Sequence, residues 1–404
     1  MHARVEAFET NEQDHLFPCF SRADVSFARG QGAWLEADDG RRFLDFATGI
    51  AVTGLGHAHP RVTRALHEQA DRVWHLSNAV RIPAQESLAR KLCAATFADR
   101  VFFNNSGAEG VETAIKTARR YHFARGAPER HRILCFEGAF HGRTLATVSA
   151  GGRVQYLEGV GPRAPGFLSV PFGNLDVLEA VADQGAAAVL LEPIQGESGV
   201  RELPREALAR IRRICNRHGL LLIYDEVQTG VGRTGRFYAY QETGVAPDIL
   251  VTAKGLGNGF PVAAVLATEK AAAGMTPGLH GSTFGGNPLA MAVADAVVAE
   301  ILAPGFLEGV RERAEHLRTG LEELVRRRPE LFAEVRGEGF LLGLKCLRPV
   351  AEVTRAARAA CLLTVGAGDD VLRLLPPLTI DRAEIEEGVA RLERAADNLL
   401  QASL

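Results

Sequence analysis

Between about residues 101 and 268 the chain alternates short apolar runs with longer stretches of helical periodicity. The runs fall at 133–136, 188–191, 220–224, 249–252 and 263–266. Runs this short, with no polar residue at every second place, predict strands buried on both faces. Their alternation with helices predicts a mainly parallel sheet flanked by helices. Beyond it, an alanine-rich helix is expected from about Leu289 to Pro304, and an arginine-rich one ending near Pro329. Stretches 334–346 and 372–375, followed by a final helix from about Arg382, predict a small α+β domain. The expected fold class is α/β, with the small domain built from both ends of the chain. Residues 1–50 are read as an N-terminal segment packing with the small domain, 51–290 as the large domain and 291–404 as the small C-terminal domain. There is no internal repeat or low-complexity tract.

Open α/β sheets bind ligands at the carboxyl ends of their strands, so the residues delivered there carry the chemistry. Run 220–224 delivers Asp225, a carboxylate that needs a cation; an ion-paired or helix-capping carboxylate is the plainer alternative. Run 249–252 leads to Lys254, one of only five lysines among 46 basic residues, set just before a glycine-rich turn. A lysine so placed loses enough solvation to react as a free amine and form a Schiff base with an aldehyde; otherwise it is a solvated loop residue. The run at Val101 ends in Asn105-Ser-Gly-Ala-Glu109, then helical periodicity to about Arg125. A strand, a tight loop and a helix N-terminus favour a phosphate, with the Ser106 hydroxyl as a further donor. Ser106 and Glu109 also have the spacing of a capping box, which needs no ligand.

These segments, with Gly56-His-Ala-His-Pro60, Phe140-His-Gly-Arg-Thr144, Glu192-Pro-Ile-Gln-Gly-Glu197, His280-Gly-Ser-Thr-Phe-Gly-Gly-Asn-Pro288 and Val371-Leu-Arg-Leu-Leu-Pro-Pro377, occur in the order found in one family. The chain resembles the class III aminotransferases, fold-type I enzymes that use pyridoxal 5'-phosphate, and among them most closely the acetylornithine aminotransferases. The resemblance runs from about Phe27 to Leu392.

It implies that Lys254 holds the cofactor and moves the proton, and that Asp225 keeps the pyridine nitrogen protonated. Ser106, Gly107 and Ala108 would bind the phosphate, Phe140 would stack on the ring, and Gln228, one helical turn beyond Asp225, would bond the phenolic oxygen. Thr283 would reach the phosphate of a neighbouring subunit, so a homodimer is expected. Arg143 would read the carboxylate far from the reacting carbon, and Arg373 the α-carboxylate of glutamate or 2-oxoglutarate, with Glu197 pairing Arg373 while the amine donor is bound. Phe140 as a core aromatic, Thr283 as a turn hydroxyl and Glu197 with Arg373 as a structural ion pair are the competing readings. His141 is set aside as a base because Lys254 already fills that place.

The implied reaction is transfer of the terminal amine of N2-acetyl-L-ornithine to 2-oxoglutarate, as in arginine biosynthesis. Succinylornithine, ornithine, 4-aminobutyrate or another ω-amine are alternative donors. An aminomutase or racemase on the same fold is disfavoured by the Glu197 and Arg373 pair, and a non-catalytic cofactor binder by the complete set of Lys254, Asp225 and Gln228. Family members usually have glycine where this chain has Ser198 and Asn258, an aromatic-containing pair at Ala79 and Val80, and frequently asparagine at Thr53. All four departures lie where the amine's tail is expected.

Bulk properties narrow the partners. A length of 404 residues supports a large core, and the net charge of -3 leaves no footprint for nucleic acid or an anionic membrane. No apolar run approaches the roughly 18 residues of a membrane span. Six scattered cysteines without a Cys-x-x-Cys pair read as reduced thiols, with no metal site expected, and residues 1–19 lack the basic and apolar pattern of a signal peptide. The expected location is cytoplasmic.

Overall fold

The computed structural model describes residues 15–401; most of the N-terminal stretch read for a signal peptide lies outside them. Seven strands form the central sheet, in the order Arg100–Asn104, Ala263–Ala267, Ile249–Thr252, Leu221–Asp225, Ala186–Leu191, Arg132–Phe136, Phe167–Val170. The last five in that order run parallel. Ala263–Ala267 runs antiparallel to both of its neighbours. The reason lies in its connection: residues 253–262 are too few for the crossover that a parallel partner requires.

Both faces of the parallel strands are buried, as apolar runs without alternation require. Leu222, Tyr224 and Leu250 face one apolar cluster, while Leu221, Ile223, Ile249 and Val251 face the other. Helix Gly107–Ala124 packs on the second face so tightly that a Cβ on Gly110 would lie 2.6 Å from Cγ1 of Val251. That close approach fixes the helix N-terminus over the carboxyl end of the sheet.

A second sheet orders Phe332–Glu338, Leu341–Cys346, Val371–Leu374 and Val365–Ala367, antiparallel throughout. A third joins Phe27–Gln31, Trp34–Ala37 and Arg42–Asp45 to Leu362–Leu363, so the two ends of the chain share one sheet. Helices Pro288–Ile301, Phe306–Arg327 and Arg382–Gln401 fall where the periodicity places them. Among the described residues no single helix is long and apolar enough to cross a membrane.

After the third strand the backbone makes a left-handed turn. Thr48, Gly49, Ile50 and Ala51 have φ of 46°, 62°, 65° and 62°. Each of the three with a Cβ costs about 1–2 kcal/mol in this region. Buried Asp45 offsets the cost: its Oδ1 accepts from the backbone N–H of Ala47 at 2.9 Å and Thr48 at 2.8 Å, and its Oδ2 lies 2.8 Å from His57 Nε2. The Thr48 hydroxyl donates to Leu375 O at 2.7 Å, tying the turn to the strand that carries Arg373.

Asp45→Ala would leave both N–H groups without an acceptor and the turn unsupported. The expected loss is about 3 kcal/mol in urea unfolding, with Asp45→Asn losing about a third as much because one acceptor oxygen remains. A loss under about 0.5 kcal/mol for the alanine variant would show that the turn is held by something else.

Candidate active site

The carboxyl ends of the parallel strands open into a cavity of about 290 Å³ lined by Ser106, Gly107, Ala108, Phe140, His141, Glu192, Asp225, Val227, Gln228 and Lys254. Seven of the expected residues thus meet at one place: Ser106, Gly107, Ala108, Phe140, Asp225, Gln228 and Lys254. Glu197 and Arg373 adjoin it through Gln228.

Lys254 begins a short 3-10 turn, Lys254–Gly257, straight after the strand Ile249–Thr252, with a φ of 45° that turns its side chain into the cavity wall. Burial pulls its amine down to about 8, against the opposing charge of Glu197. Asp225 ends its strand almost fully buried, with Oδ2 2.8 Å from His141 Nδ1 and Oδ1 accepting from Val227 N at 3.1 Å. Burial disfavours the His141 cation, but the bond to Asp225 and that carboxylate's charge outweigh it and raise the imidazole above its ordinary value. His141 Nε2 is buried without a partner. Glu192 directly follows the adjoining strand Ala186–Leu191 and accepts from Phe140 N at 2.9 Å. Burial pushes its carboxyl up to about 7.

Ser106 caps helix Gly107–Ala124, and the capping box is complete: Glu109 N donates to Ser106 Oγ, and Ser106 N donates to Glu109 Oε2. The plainer reading of that motif is therefore true, and it does not use up the site. Gly107 and Ala108 stand in the first turn, where N–H groups have no intrahelical acceptor. A Cβ on Gly107 would lie 3.0 Å from both methyls of Val227, and one on Gly142 would lie 2.7 Å from Ala108 Cβ, so backbone presses directly on the cavity.

Arg373 is 1% exposed. Its Nη1 donates to Glu197 Oε1 at 2.6 Å and to Gln228 Oε1 at 3.0 Å. Gln228 differs from expectation in its setting: residues 226–230 form a turn rather than a helix, closed by Gly230 N donating to Glu226 O. Its amide oxygen is engaged by Arg373, which leaves the NH₂ for the cavity. Gly196 lies against that amide so closely that a Cβ there would meet Oε1 at 1.9 Å.

Two expected residues stand away from this cavity's lining. The Arg143 guanidinium stacks 3.7 Å from the centroid of Tyr156, and no carboxylate among the described residues pairs with it. Thr283 is exposed, on a loop with Phe284, itself 61% exposed. Of the departures, Asn258 takes the left-handed conformation that suits asparagine, accepting from Leu55 N at 2.7 Å and donating to Gly56 O at 3.1 Å. It anchors the N-terminal segment instead of shaping the pocket. Ala79 and Val80 are exposed and line no part of the cavity. Sequence reasoning missed Glu192 and Val227 as lining residues; the strand-end position that singled out Asp225 applies equally to Glu192.

A family model described as aminotransferase class-III matches residues 20–396. The chain belongs to the class-III aminotransferases. It is similar to the acetylornithine aminotransferase of Agrobacterium fabrum, 58% identical over 95% of this chain and 96% of that protein, and to that of Rhodobacter capsulatus, 50% identical over 95% and 98%. Among solved structures it resembles the ornithine aminotransferase of Toxoplasma gondii (TM-score 0.92, 29% identity, 96% and 94% covered). It also resembles the N-acetylornithine aminotransferase of Stenotrophomonas maltophilia (TM-score 0.84, 38% identity, 95% and 98% covered). The enzyme is a transaminase of fold type I, and its cofactor is pyridoxal phosphate. The residues present fit that cofactor: a desolvated amine, a buried carboxylate backed by an imidazole, bare backbone at a helix N-terminus, and Phe140 and Val227 lining the space between them.

The lowered Lys254 value sets a pH dependence. The amine is neutral and nucleophilic above about 8, so capture of pyridoxal phosphate by cofactor-free protein should speed up with rising pH and level off just above that value. Stopped-flow absorbance would follow it, with Lys254→Ala as the blank. A rate still climbing between pH 9 and 10 would mean that Lys254 behaves as an ordinary exposed lysine.

Proposed function

We propose that this chain transfers the terminal amino group of N2-acetyl-L-ornithine to 2-oxoglutarate, giving N-acetylglutamate 5-semialdehyde and glutamate, the chemistry used in arginine biosynthesis. The observation that carries the reading is the Arg373 and Glu197 pair, a carboxylate-reading guanidinium with its own carboxylate in place at 2.6 Å. It is joined by relatives named acetylornithine aminotransferase at 45–58% identity.

In this reading Lys254 would hold the cofactor, Ser106, Gly107 and Ala108 would bind its phosphate, Phe140 and Val227 would pack against its ring, and Gln228 would donate to the phenolic oxygen. Pyridoxal phosphate, when bound, supplies the electron sink that acidifies the C–H bond beside the substrate nitrogen. Asp225 would pair with the ring nitrogen, and His141 holds the second carboxylate oxygen so that the anion keeps its aim. Lys254 Nζ, released by the incoming amine, takes the proton from the amine-bearing carbon of the substrate. Arg143, with no carboxylate partner among the described residues, reads the distal carboxylate common to both substrates.

Arg373 meets two situations. The donor brings no carboxylate to that end, so Glu197 neutralises the guanidinium; 2-oxoglutarate brings one, and Glu197 yields. Burial works against the Glu197 charge, but Arg373 and then Lys254 outweigh it and hold the carboxyl below its usual range, so Glu197 is an anion throughout the neutral region. The enzyme works as a homodimer in which Thr283 reaches the neighbouring site. Exposed apolar side chains on or near its loop, Trp74, Val80 and Phe284, support that reading because solvent is a poor place for them. Six free cysteines among the described residues suit a reducing cytoplasm.

A donor panel tests the substrate. Single-turnover absorbance with acetylornithine, succinylornithine, ornithine and 4-aminobutyrate should give the highest specificity constant for acetylornithine, and 2-oxoglutarate should restore the starting spectrum. A higher value for another ω-amine would reassign the donor and keep the reaction class.

Glu197→Ala tests the pair. With Arg373 permanently open, glutamate should gain relative to acetylornithine by on the order of 1–3 kcal/mol in the ratio of specificity constants. A purely structural ion pair predicts equal losses for both donors together with lower stability.

A further inference from the structure

Arg153 stands beside this pair and is itself unpaired. Its Nη2 donates to Gly138 O at 2.9 Å and to Ser198 Oγ at 2.6 Å, while Ser198 Oγ donates to the same carbonyl at 2.5 Å. Its Nε is buried without a partner. Among the described residues no carboxylate forms an ion pair with it, although the side chain is half-buried. Neutral acceptors satisfy hydrogens and leave the charge uncompensated. Ser198, which holds this guanidinium, is the residue directly after Glu197, and both sit in the short turn that follows the strand Ile194–Gln195.

Glu197 needs somewhere to go. When a substrate carboxylate takes Arg373, a displaced anion left half-buried and unpaired would oppose binding. We infer that Arg153 is the second seat of the Glu197 carboxylate, a positioning residue that receives it whenever Arg373 reads an α-carboxylate. Glu197 therefore moves between two guanidiniums, from Arg373 in the donor state to Arg153 in the oxo acid state. The serine at 198 contributes by tethering Nη2, which keeps the second seat within one residue of the moving group. Electrostatics agree: burial opposes the Glu197 charge, and Arg153 joins Arg373 and Lys254 among the cations that outweigh it. Arg143 shares a ring with Arg153, their guanidiniums lying 3.7 and 6.0 Å from the Tyr156 centroid. The alternative occupant of the Arg153 charge is thus the distal carboxylate of the substrate.

The inference rests on the proposed use of Arg373 for the α-carboxylate. Two unreactive ligands separate the possibilities on cofactor-loaded enzyme by calorimetry. Glutarate places a carboxylate at Arg373. N-acetyl-L-norvaline carries the acetylated amino acid end of the proposed donor and nothing at the Arg373 end. Arg153→Gln should weaken glutarate about tenfold and leave N-acetyl-L-norvaline within about twofold, and Arg153→Lys should restore most of the loss. In a Glu197→Gln background the Arg153→Gln effect on glutarate should vanish, because no anion needs the seat. Equal weakening of both ligands would make Arg153 a reader of the distal carboxylate and overturn the seat, as would no change in either. If Glu197→Gln alone tightens glutarate while Arg153→Gln does nothing, the exchange at Arg373 stands and only the seat falls. If Glu197→Gln leaves glutarate unchanged, the exchange itself falls, and the seat with it.

Discussion

Burying a guanidinium to 1% exposure is costly unless an anion lies beside it, and much of the active site follows from satisfying Arg373. Glu197 supplies the charge, and Gln228 supplies a neutral acceptor on the same nitrogen. Engaging the Gln228 oxygen settles which end of its amide faces the cavity, a choice that is otherwise free. That amide in turn leaves room only for glycine at 196, the residue before Glu197. One buried charge therefore fixes the orientation of the Gln228 amide and the backbone of the turn that carries Glu197.

The sequence makes the sheet legible because burial on both faces leaves a local signature. The runs at 133–136, 188–191, 249–252 and 263–266 each fall within a strand of the central sheet, the run at 220–224 starts one residue before its strand, and Asp225 and Lys254 stand at or just past strand ends. The antiparallel direction of Ala263–Ala267 was not expected, although the short connection before it explains that direction. What stayed hidden depends on contacts between distant segments. His141 and Asp225 are 84 residues apart, Arg373 and Glu197 are 176 apart, and Asn258 meets Leu55 across 203. Motif order brought the first two pairs to the same site through resemblance. It gave no bond between His141 and Asp225 and no role for Asn258, whose substitution looked like a change of pocket and is a clasp on the N-terminal segment.

That segment shows why the N-terminal part belongs to the site's mechanics. The left-handed turn at Thr48, Gly49, Ile50 and Ala51 is uphill for three of its four residues, and it persists because Asp45, His57 and Leu375 over-determine it. Val52, directly after the turn, lines the cavity, while Leu375 lies two residues after Arg373. Strain held by long-range bonds ties the cavity wall at Val52 to the strand that carries Arg373. A relaxed loop of the same length would leave Val52 free to wander.

The titrating groups show the cost of such a site in another form. Glu192 is pushed up to about 7, so between its ordinary value near 4.5 and 7 the folded chain binds more protons than the unfolded one, and stability falls as pH rises through that window. Lys254 is pulled down to about 8, so between 8 and its ordinary 10.5 the unfolded cofactor-free chain binds more protons, and stability rises with pH there. Both groups are charged together only between about 7 and 8, and there each weighs fully against the fold. The cavity is therefore least comfortable as a folded structure just below the pH at which Lys254 becomes a free amine. A ligand that binds the folded cavity and not the unfolded chain offsets that cost by mass action.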